Sequence, residues 1–289
     1  FILLFADGSM FFVGMLLTAV AVCAARWFTE QGWRPVSAVG STIGILLVIV
    51  SATPVPLWVY GVWLGVCVSA LILSTRNTID ASNQIVARVH RTLLVLTAGL
   101  SLLLCFLELP YRGKPKISVS PGAVIYIVGD SISAGIGSKE QNWPEVLADS
   151  TRLKIVNLAR AGATAQTAFA QAERIPRRQS LVIVEIGGND LFGGTKSDGF
   201  EKSLDALLAR LRSDGHRIVM FELPLPPFCN ALGRVQRDAA HRHGVTLIPK
   251  RSLTSVFGVS DSTLDGLHLT QAGHDALAEE VKGMLQLSE

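Results

Sequence analysis

The feature that most constrains this chain is the uneven distribution of its charged residues. Residues 1–110 contain nine Asp, Glu, Lys and Arg side chains, whereas residues 111–289 contain forty. No charged residue occurs from Pro35 to Thr75. Two membrane-spanning helices of about 20 residues each fit into such a stretch. We therefore expect a membrane domain over 1–110, a linker over 111–120 and a water-soluble domain over 121–289.

Four apolar segments divide the first part of the chain. They cover residues 8–25, 36–53, 57–74 and 92–107, and Pro54 and Pro56 separate the second from the third. Only helices and closed barrels satisfy their backbone groups inside a bilayer, so we expect an all-α transmembrane domain of about four helices. Neither a basic region nor a small-residue cleavage site accompanies the first segment, and a removable signal peptide is therefore not expected.

The basic residues of the loops predict how these helices are oriented. With four spans, the loops 26–35 and 75–91 lie on one side of the membrane and contain Arg26, Arg34, Arg76, Arg88 and Arg91. The opposite side has Arg112, Lys114 and Lys116. Because cytoplasmic loops carry the excess of basic residues, we expect the soluble domain on the extracytoplasmic side of a bacterial inner membrane.

Two GxxxG patterns bear on partners of the membrane domain. They span Gly40–Gly44 and Gly61–Gly65 and would allow close helix contact, either within the hairpin formed by 36–53 and 57–74 or with a partner protein. Three of the four cysteines, Cys23, Cys67 and Cys105, fall in predicted spans, so no disulfide framework or metal motif is expected. The net charge of +3 is too small to indicate nucleic-acid binding.

The second part of the chain alternates strand and helix patterns. The predicted strands are Val124–Val128, Lys154–Leu158, Leu181–Ile186, Arg217–Glu222 and Val245–Pro249, and the predicted helices are 143–150, 164–173, 199–213, 229–243 and 270–286. Such alternation is typical of an α/β domain in which a parallel sheet is covered by helices on both faces.

Several polar residues follow the ends of these strands. Gly129-Asp130-Ser131 follows the first strand, at the edge where open α/β sheets hold their ligands. Farther along the chain, Asp265 and His268 are three residues apart in a turn, so the carboxylate can hold the imidazole in one tautomer. A serine hydroxyl needs a base of this kind to become nucleophilic at neutral pH.

Candidate oxyanion donors follow two further strands. Asn189, within Gly187-Gly188-Asn189-Asp190, could donate from its amide group, and the backbone N–H of Gly162 could act with the N–H of Ser131. We interpret Asp130 and Asp190 as turn-forming residues.

Together these blocks resemble the SGNH branch of the GDSL esterase and lipase family. The residues that name the branch match Ser131, Gly162, Asn189 and His268, in the blocks GDSISAG, NLARAGAT, GGND and DGLH. Residues 142–148 also look like the first helix of bacterial thioesterase and arylesterase members. The resemblance covers 121–289 and implies a three-layer α/β/α, flavodoxin-like fold. It implies that Ser131 is the nucleophile, that His268 is the base and then the acid, and that Asp265 orients His268. The implied oxyanion hole comprises Ser131, Gly162 and Asn189, with no cofactor and no metal.

Three functions are compatible with these observations. The first is a membrane-anchored serine hydrolase of esters or thioesters. The second is an O-acyltransferase or deacetylase of cell-envelope glycans, which would use the same site. The third is an accessory subunit of a membrane complex. Asp261 could compete with Asp265 as the partner of His268, but we discount it because it lies seven residues from His268, and His274 is expected at the surface. Leu191–Phe192 and Leu223–Phe228 would either line an acyl pocket or pack as loops.

Overall fold

The computed structural model describes residues 2–27, 33–75, 84–137 and 140–287. These residues form two compact units. One comprises Phe1–Pro110 with Pro226–Asn230, and the other comprises Tyr111–Leu225 with Ala231–Glu289. The division expected from the sequence did not anticipate that Pro226–Asn230 would group with the first unit.

Helices make up most of the described residues of the first unit, and the connection 51–56 is not helical. Its helices are α1 (Ile2–Ala6), α2 (Ser9–Trp27), α3 (Trp33–Val50), α4 (Leu57–Thr75) and α5 (Gln84–Glu108). Two segments, Leu57–Ser74 and Gln84–Arg112, are long and apolar enough to cross a membrane, whereas Ser9–Ala24 and Val36–Val50 are apolar but shorter. The helix that contains the fourth predicted segment, 92–107, is longer than expected, because α5 extends from Gln84 to Glu108. Arg26, Arg34 and Arg76, on which the predicted orientation depends, lie outside the residues whose side chains are described.

Glycines bring α2 and α3 close together. A Cβ atom on Gly14 would lie 2.6 Å from the carbonyl oxygen of Gly44, and one on Gly44 would lie 2.4 Å from Oγ1 of Thr18. The first GxxxG pattern therefore packs against α2, and not within the expected hairpin of α3 and α4, because small residues allow such a close helix contact. Around Gly61 and Gly65, no described atom lies within 4 Å of a Cβ placed at either position.

The second unit contains the alternating elements. Its strands are β1 (Ile117–Val119), β2 (Val124–Gly129), β3 (Lys154–Asn157), β4 (Leu181–Glu185), β5 (Arg217–Phe221), β6 (Thr246–Ile248) and β7 (Leu285–Leu287). Its helices are α6 (Ser131–Ala134), α7 (Trp143–Thr151), α8 (Ala165–Ala172), α9 (Gly188–Phe192), α10 (Ser197–Ser213), α11 (Asn230–His243), α12 (Lys250–Phe257) and α13 (Gln271–Lys282).

Five of these strands form one parallel sheet in the order β3-β2-β4-β5-β6. The chain leaves β2 toward β3 on one side and later returns to β4 on the other, so the sheet has a topological switch point at β2. In open α/β sheets, ligands bind at the carboxyl ends of the strands beside such a point. All six residues of β2 are buried, which fits a strand covered on both faces. The predicted α/β fold with a parallel sheet is confirmed.

The segment 111–120, which was expected to be a linker, forms part of the second unit. Ile117 and Val119 are buried, and β1 pairs in parallel with the C-terminal strand β7. Nearby, Lys114 Nζ lies 2.7 Å from Glu280 Oε2. The guanidinium of Arg237 lies 3.6 Å from the ring centroid of Tyr111. Helix α13 ends at Lys282 instead of 286, because residues after Gly283 turn into β7.

Candidate active site

The turn that carries Ser131 is fixed by its own aspartate. Asp130 precedes α6, and its Oδ1 accepts a hydrogen bond of 3.0 Å from the backbone N–H of Ile132. This is a standard N-cap arrangement, in which a side chain satisfies a free N–H of the first turn. Ser131 is the first residue of α6, so its own N–H has no acceptor within the helix. Asp130 therefore forms the turn, as the sequence indicated.

Gly129, immediately before this turn, is held by a side chain that the sequence analysis missed. Gln171 of α8 accepts from Gly129 N–H at 2.9 Å and donates to Gly129 O at 2.9 Å. A Cβ atom on Gly129 would lie 2.8 Å from Oγ of Ser133, so the position has no room for a larger residue. The sequence offers one indication of this role. Gln171 is a polar residue on the buried face of a short helix, three residues after the buried Ala168.

Asp265 and His268 lie against each other in the loop before α13. Asp265 Oδ2 is 2.7 Å from His268 Nδ1, while Asp265 Oδ1 accepts from the backbone N–H groups of Leu267 and His268 at 3.0 and 2.8 Å. The pKa of Asp265 is lowered to about 2 by these hydrogen bonds. The largest effect comes from the backbone N–H of His268, and the next from its imidazole ring. An ionised Asp265 requires a proton on Nδ1, which leaves Nε2 as the basic nitrogen of the ring. Asp265, and not Asp261, is therefore the described partner of His268.

Asn189 lies in α9, beyond the end of β4, and bridges two loops. Its Nδ2 donates to Asp130 Oδ2 at 3.1 Å and to the carbonyl oxygen of Ala163 at 3.0 Å. The neighbouring Gly162 has a φ of +76°, a conformation that glycine adopts without strain. Asp190 stabilises the same region, because its Oδ2 accepts from Ala165 N–H at 2.8 Å. Like Asp130, it is a turn-forming residue.

These residues come from loops that meet at the carboxyl edge of the sheet. Ser131 follows β2, Gly162 follows β3 and Asn189 follows β4, so all three flank the switch point. Burial raises the pKa of Asp130 to about 6. His268 is close enough for its charge to lower the pKa of the same carboxyl group, but this effect is smaller. Among the described residues, no hydrogen bond joins Ser131 Oγ to His268. Ligand-free active sites often show long catalytic contacts that tighten on binding.

His274 is not at the surface, contrary to the expectation from the sequence. Its side chain is 1% exposed, and Nδ1 accepts from the backbone N–H of Trp143 at 3.2 Å. Burial lowers the pKa of the imidazole, which favours the neutral ring. The amphipathic pattern of α13 did not reveal this role, because a histidine fits either face of such a helix.

Comparisons with known proteins agree with this architecture. Residues 127–276 match the GDSL-like Lipase/Acylhydrolase family, a span of just over half the chain. Esterase TesA of Pseudomonas aeruginosa is 28% identical over 171 residues, which cover 54% of this chain and 85% of that protein. The Thioesterase 1/protease 1/lysophospholipase L1 of Escherichia coli K12 is 27% identical over 135 residues, covering 43% of this chain and 65% of that protein.

One solved structure supports the fold alone. Esterase EstA of Pseudoalteromonas sp., in a form inhibited by monoethylphosphonate, is 20% identical with a TM-score of 0.50 and covers 56% of this chain and 95% of its own. The matched family residues run from β2, before the Ser131 turn, into α13, beyond the Asp265–His268 pair. The chain therefore belongs to the GDSL-like lipase and acylhydrolase family, and it is a carboxylic ester hydrolase with the SGNH-hydrolase fold.

Proposed function

We propose that this chain is a membrane-anchored serine hydrolase that cleaves carboxylic esters or thioesters through an acyl-enzyme. In this proposal Ser131 is the nucleophile, His268 is the general base and then the general acid, and Asp265 orients His268. The observation that carries the proposal is the 2.7 Å contact between Asp265 Oδ2 and His268 Nδ1, with His268 near enough to Asp130, the residue before Ser131, to affect the pKa of that carboxyl group.

The reaction has two halves. Ser131 Oγ attacks the acyl carbon while its proton passes to Nε2 of His268, and the bond to the leaving alcohol or thiol breaks as that proton is returned to it. A water molecule then attacks the acyl-serine with the same base, which releases the acid and restores the hydroxyl group. The ionised Asp265 stabilises the imidazolium in both halves and is not itself protonated.

The proposed oxyanion hole combines two backbone donors with one side chain. Ser131 N–H and Gly162 N–H supply the first two donors, and the Asn189 amide supplies the third. Because the Asn189 amide already donates to Asp130 and Ala163, an oxyanion has to take over one of these bonds. We assign that exchange to the Ala163 carbonyl, since the bond to the ionised Asp130 is charge-assisted and the stronger of the two.

The names of the relatives support the substrate class. They describe an esterase and a thioesterase with lysophospholipase activity, so an activated acyl group is their shared feature. An ester oxygen and a thioester sulfur leave by the same acyl-enzyme chemistry. The proposed substrate is therefore an acyl ester or thioester, and no cofactor is required for its hydrolysis.

The surface of residues 1–110 supports membrane anchoring. Of the 28 large apolar side chains that are exposed among the described residues, 23 lie in this part of the chain. A water-exposed apolar surface of that extent is unfavourable, whereas lipid would cover it. We propose that residues 1–110 form the anchor and 111–289 the hydrolase, with the latter on the extracytoplasmic side of a bacterial inner membrane.

Turnover by the full-length chain tests this function. Purified in detergent, the wild type should hydrolyse p-nitrophenyl acetate, and Ser131→Ala should reduce the rate to the uncatalysed background. Ser213→Ala is the matched control, because the Ser213 hydroxyl is exposed on α10 and, among the described residues, donates to Arg210 O of its own helix. Equal activity of the wild type and Ser131→Ala would refute the assignment of the nucleophile.

A further inference from the structure

A buried carboxyl group with no assigned role lies beside the Ser131 turn. Glu185 is the last residue of β4, and strand register places it opposite Gly129, two residues before Ser131. Its side chain is only 1% exposed. Burying a carboxylate without a cation is costly, so a group in this position is kept neutral or becomes paired.

The contacts of Glu185 all lead to the Ser131 turn. Its Oε2 accepts from Ser133 Oγ at 2.9 Å and, at 3.5 Å, from the backbone N–H of Asp130. Trp143 Nε1 donates to Ser133 Oγ at 3.1 Å, which directs the hydroxyl proton of Ser133 toward Glu185. Among the described residues, no Lys, Arg or His forms an ion pair with Glu185.

The carboxyl groups of Glu185 and Asp130 are neighbours, because Glu185 Oε2 lies 3.5 Å from the backbone nitrogen of Asp130 and each carboxyl group affects the pKa of the other. Two buried carboxyl groups side by side avoid mutual repulsion when one of them carries a proton. Burial, reinforced by the charge of Asp130, raises the pKa of Glu185 well above its usual range. Asp130 is the better site for the negative charge, because Ile132 N–H and the Asn189 amide both donate to it. The titratable groups that interact in this cluster are Asp130, Glu185 and His268.

We propose that Glu185 is a positioning residue that holds one proton against Asp130 and so maintains a single negative charge beneath the catalytic serine. That charge has two uses. It fixes the start of α6 through Ile132 N–H, and it holds the Asn189 amide through Asp130 Oδ2. One shared proton thereby links the nucleophile turn to the oxyanion donor. This role rests on the proposed function of Ser131 and Asn189.

The direction of the pH dependence follows from the number of protons in the pair. Loss of the Glu185 proton would put two negative charges side by side, and their repulsion would displace the turn. A second proton on Asp130 would remove the charge that holds the Asn189 amide. Activity should therefore require one proton in the pair and should fall at alkaline pH as Glu185 ionises.

Two variants of the full-length chain in detergent test this role. Glu185→Gln keeps a carbonyl oxygen for Ser133 and an N–H donor for Asp130, so kcat at pH 7 should stay within about threefold of the wild type. The alkaline loss of activity should disappear in the same variant. Glu185→Leu fills the space without hydrogen bonds and should lower kcat by roughly 10²-fold with little change in KM, similar to the loss of one oxyanion donor.

Infrared spectroscopy provides a readout that does not depend on turnover or on the folding of Glu185→Leu. In Ser131→Ala at pH 7, the carbonyl stretch of a buried protonated carboxyl group should be present, and it should vanish when Glu185→Gln is added. Absence of this band, or a folded Glu185→Gln that is as slow as Glu185→Leu, would overturn the proposal. If the wild type hydrolyses no ester, the proposed function fails, and the infrared band alone decides whether Glu185 holds the proton.

Discussion

Replacing Asp265 by Asn is the sharpest perturbation of the proposed triad, because it changes one atom and one charge. Asp265 Oδ1 accepts two backbone N–H bonds from the turn, at 3.0 and 2.8 Å, and an Asn oxygen can keep both. The Asn nitrogen then occupies the place of Oδ2, 2.7 Å from His268 Nδ1. Two donors cannot face each other, so the proton of the ring moves to Nε2 and the base is lost.

The expected loss of kcat is on the order of 10⁴-fold, the effect of a wrong tautomer in a Ser-His-Asp triad. The thermal unfolding midpoint should change little, since the Asp265 side chain is 54% exposed and the two turn bonds are retained. The assay is hydrolysis of p-nitrophenyl acetate by the full-length chain at saturating substrate, where kcat is measured separately from KM.

Asp261→Asn is the matched control for this prediction. Asp261 is exposed and has a φ of +59°, a left-handed conformation that Asn tolerates well. The change is chemically identical but lies seven residues from His268, so activity should stay at the level of the wild type. If Asp265→Asn were as active as Asp261→Asn, Asp265 would not orient the base, and the reasoning from the hydrogen bonds would be refuted.

Three further predictions concern the oxyanion hole, the domain boundary and the topology. Asn189→Ala should lower kcat by roughly 10²–10³-fold. An unchanged kcat would show that Asn189 connects the two loops but does not stabilise the oxyanion. A fragment 111–289 should be folded and active. The shorter fragment 121–289 lacks β1, and its free energy of unfolding should be lower by about 1.5–3 kcal/mol for each of the buried side chains of Ile117 and Val119. Equal denaturant midpoints for the two fragments would contradict this prediction. Alkaline phosphatase fused after Pro121 should be active and a cytoplasmic reporter inactive, and the opposite pattern would reverse the proposed orientation.

The five strands of the main sheet were predictable because each is a short run of apolar, largely β-branched residues. Val124–Val128 is the clearest example, and in the structure all of its residues are buried. The strands β1 and β7 were not predictable. Each has only three residues, and they pair across the whole length of the second unit, so no local pattern reports their association. Helix α12 was missed for a related reason, because its apolar residues extend over little more than two turns.

The sequence predicted the blocks of the candidate site, but it did not predict the side chains that support them in the structure. Asp265 and His268 are close in sequence, so their contact follows from local geometry. The partners of Glu185 and Gln171 are more than 40 residues away along the chain, at Ser133 and Gly129 respectively. Such contacts depend on how strands and helices pack, and a single sequence does not record that packing.

Covalent labelling of the nucleophile tests the central claim most directly. The full-length chain is treated in detergent with a fluorophosphonate, digested and analysed by mass spectrometry. The account predicts one phosphonylated site, Ser131, with labelling abolished by Ser131→Ala and retained in Ser213→Ala. Labelling of a different residue, or no labelling of a chain that hydrolyses esters, would contradict the assignment of Ser131 as the nucleophile.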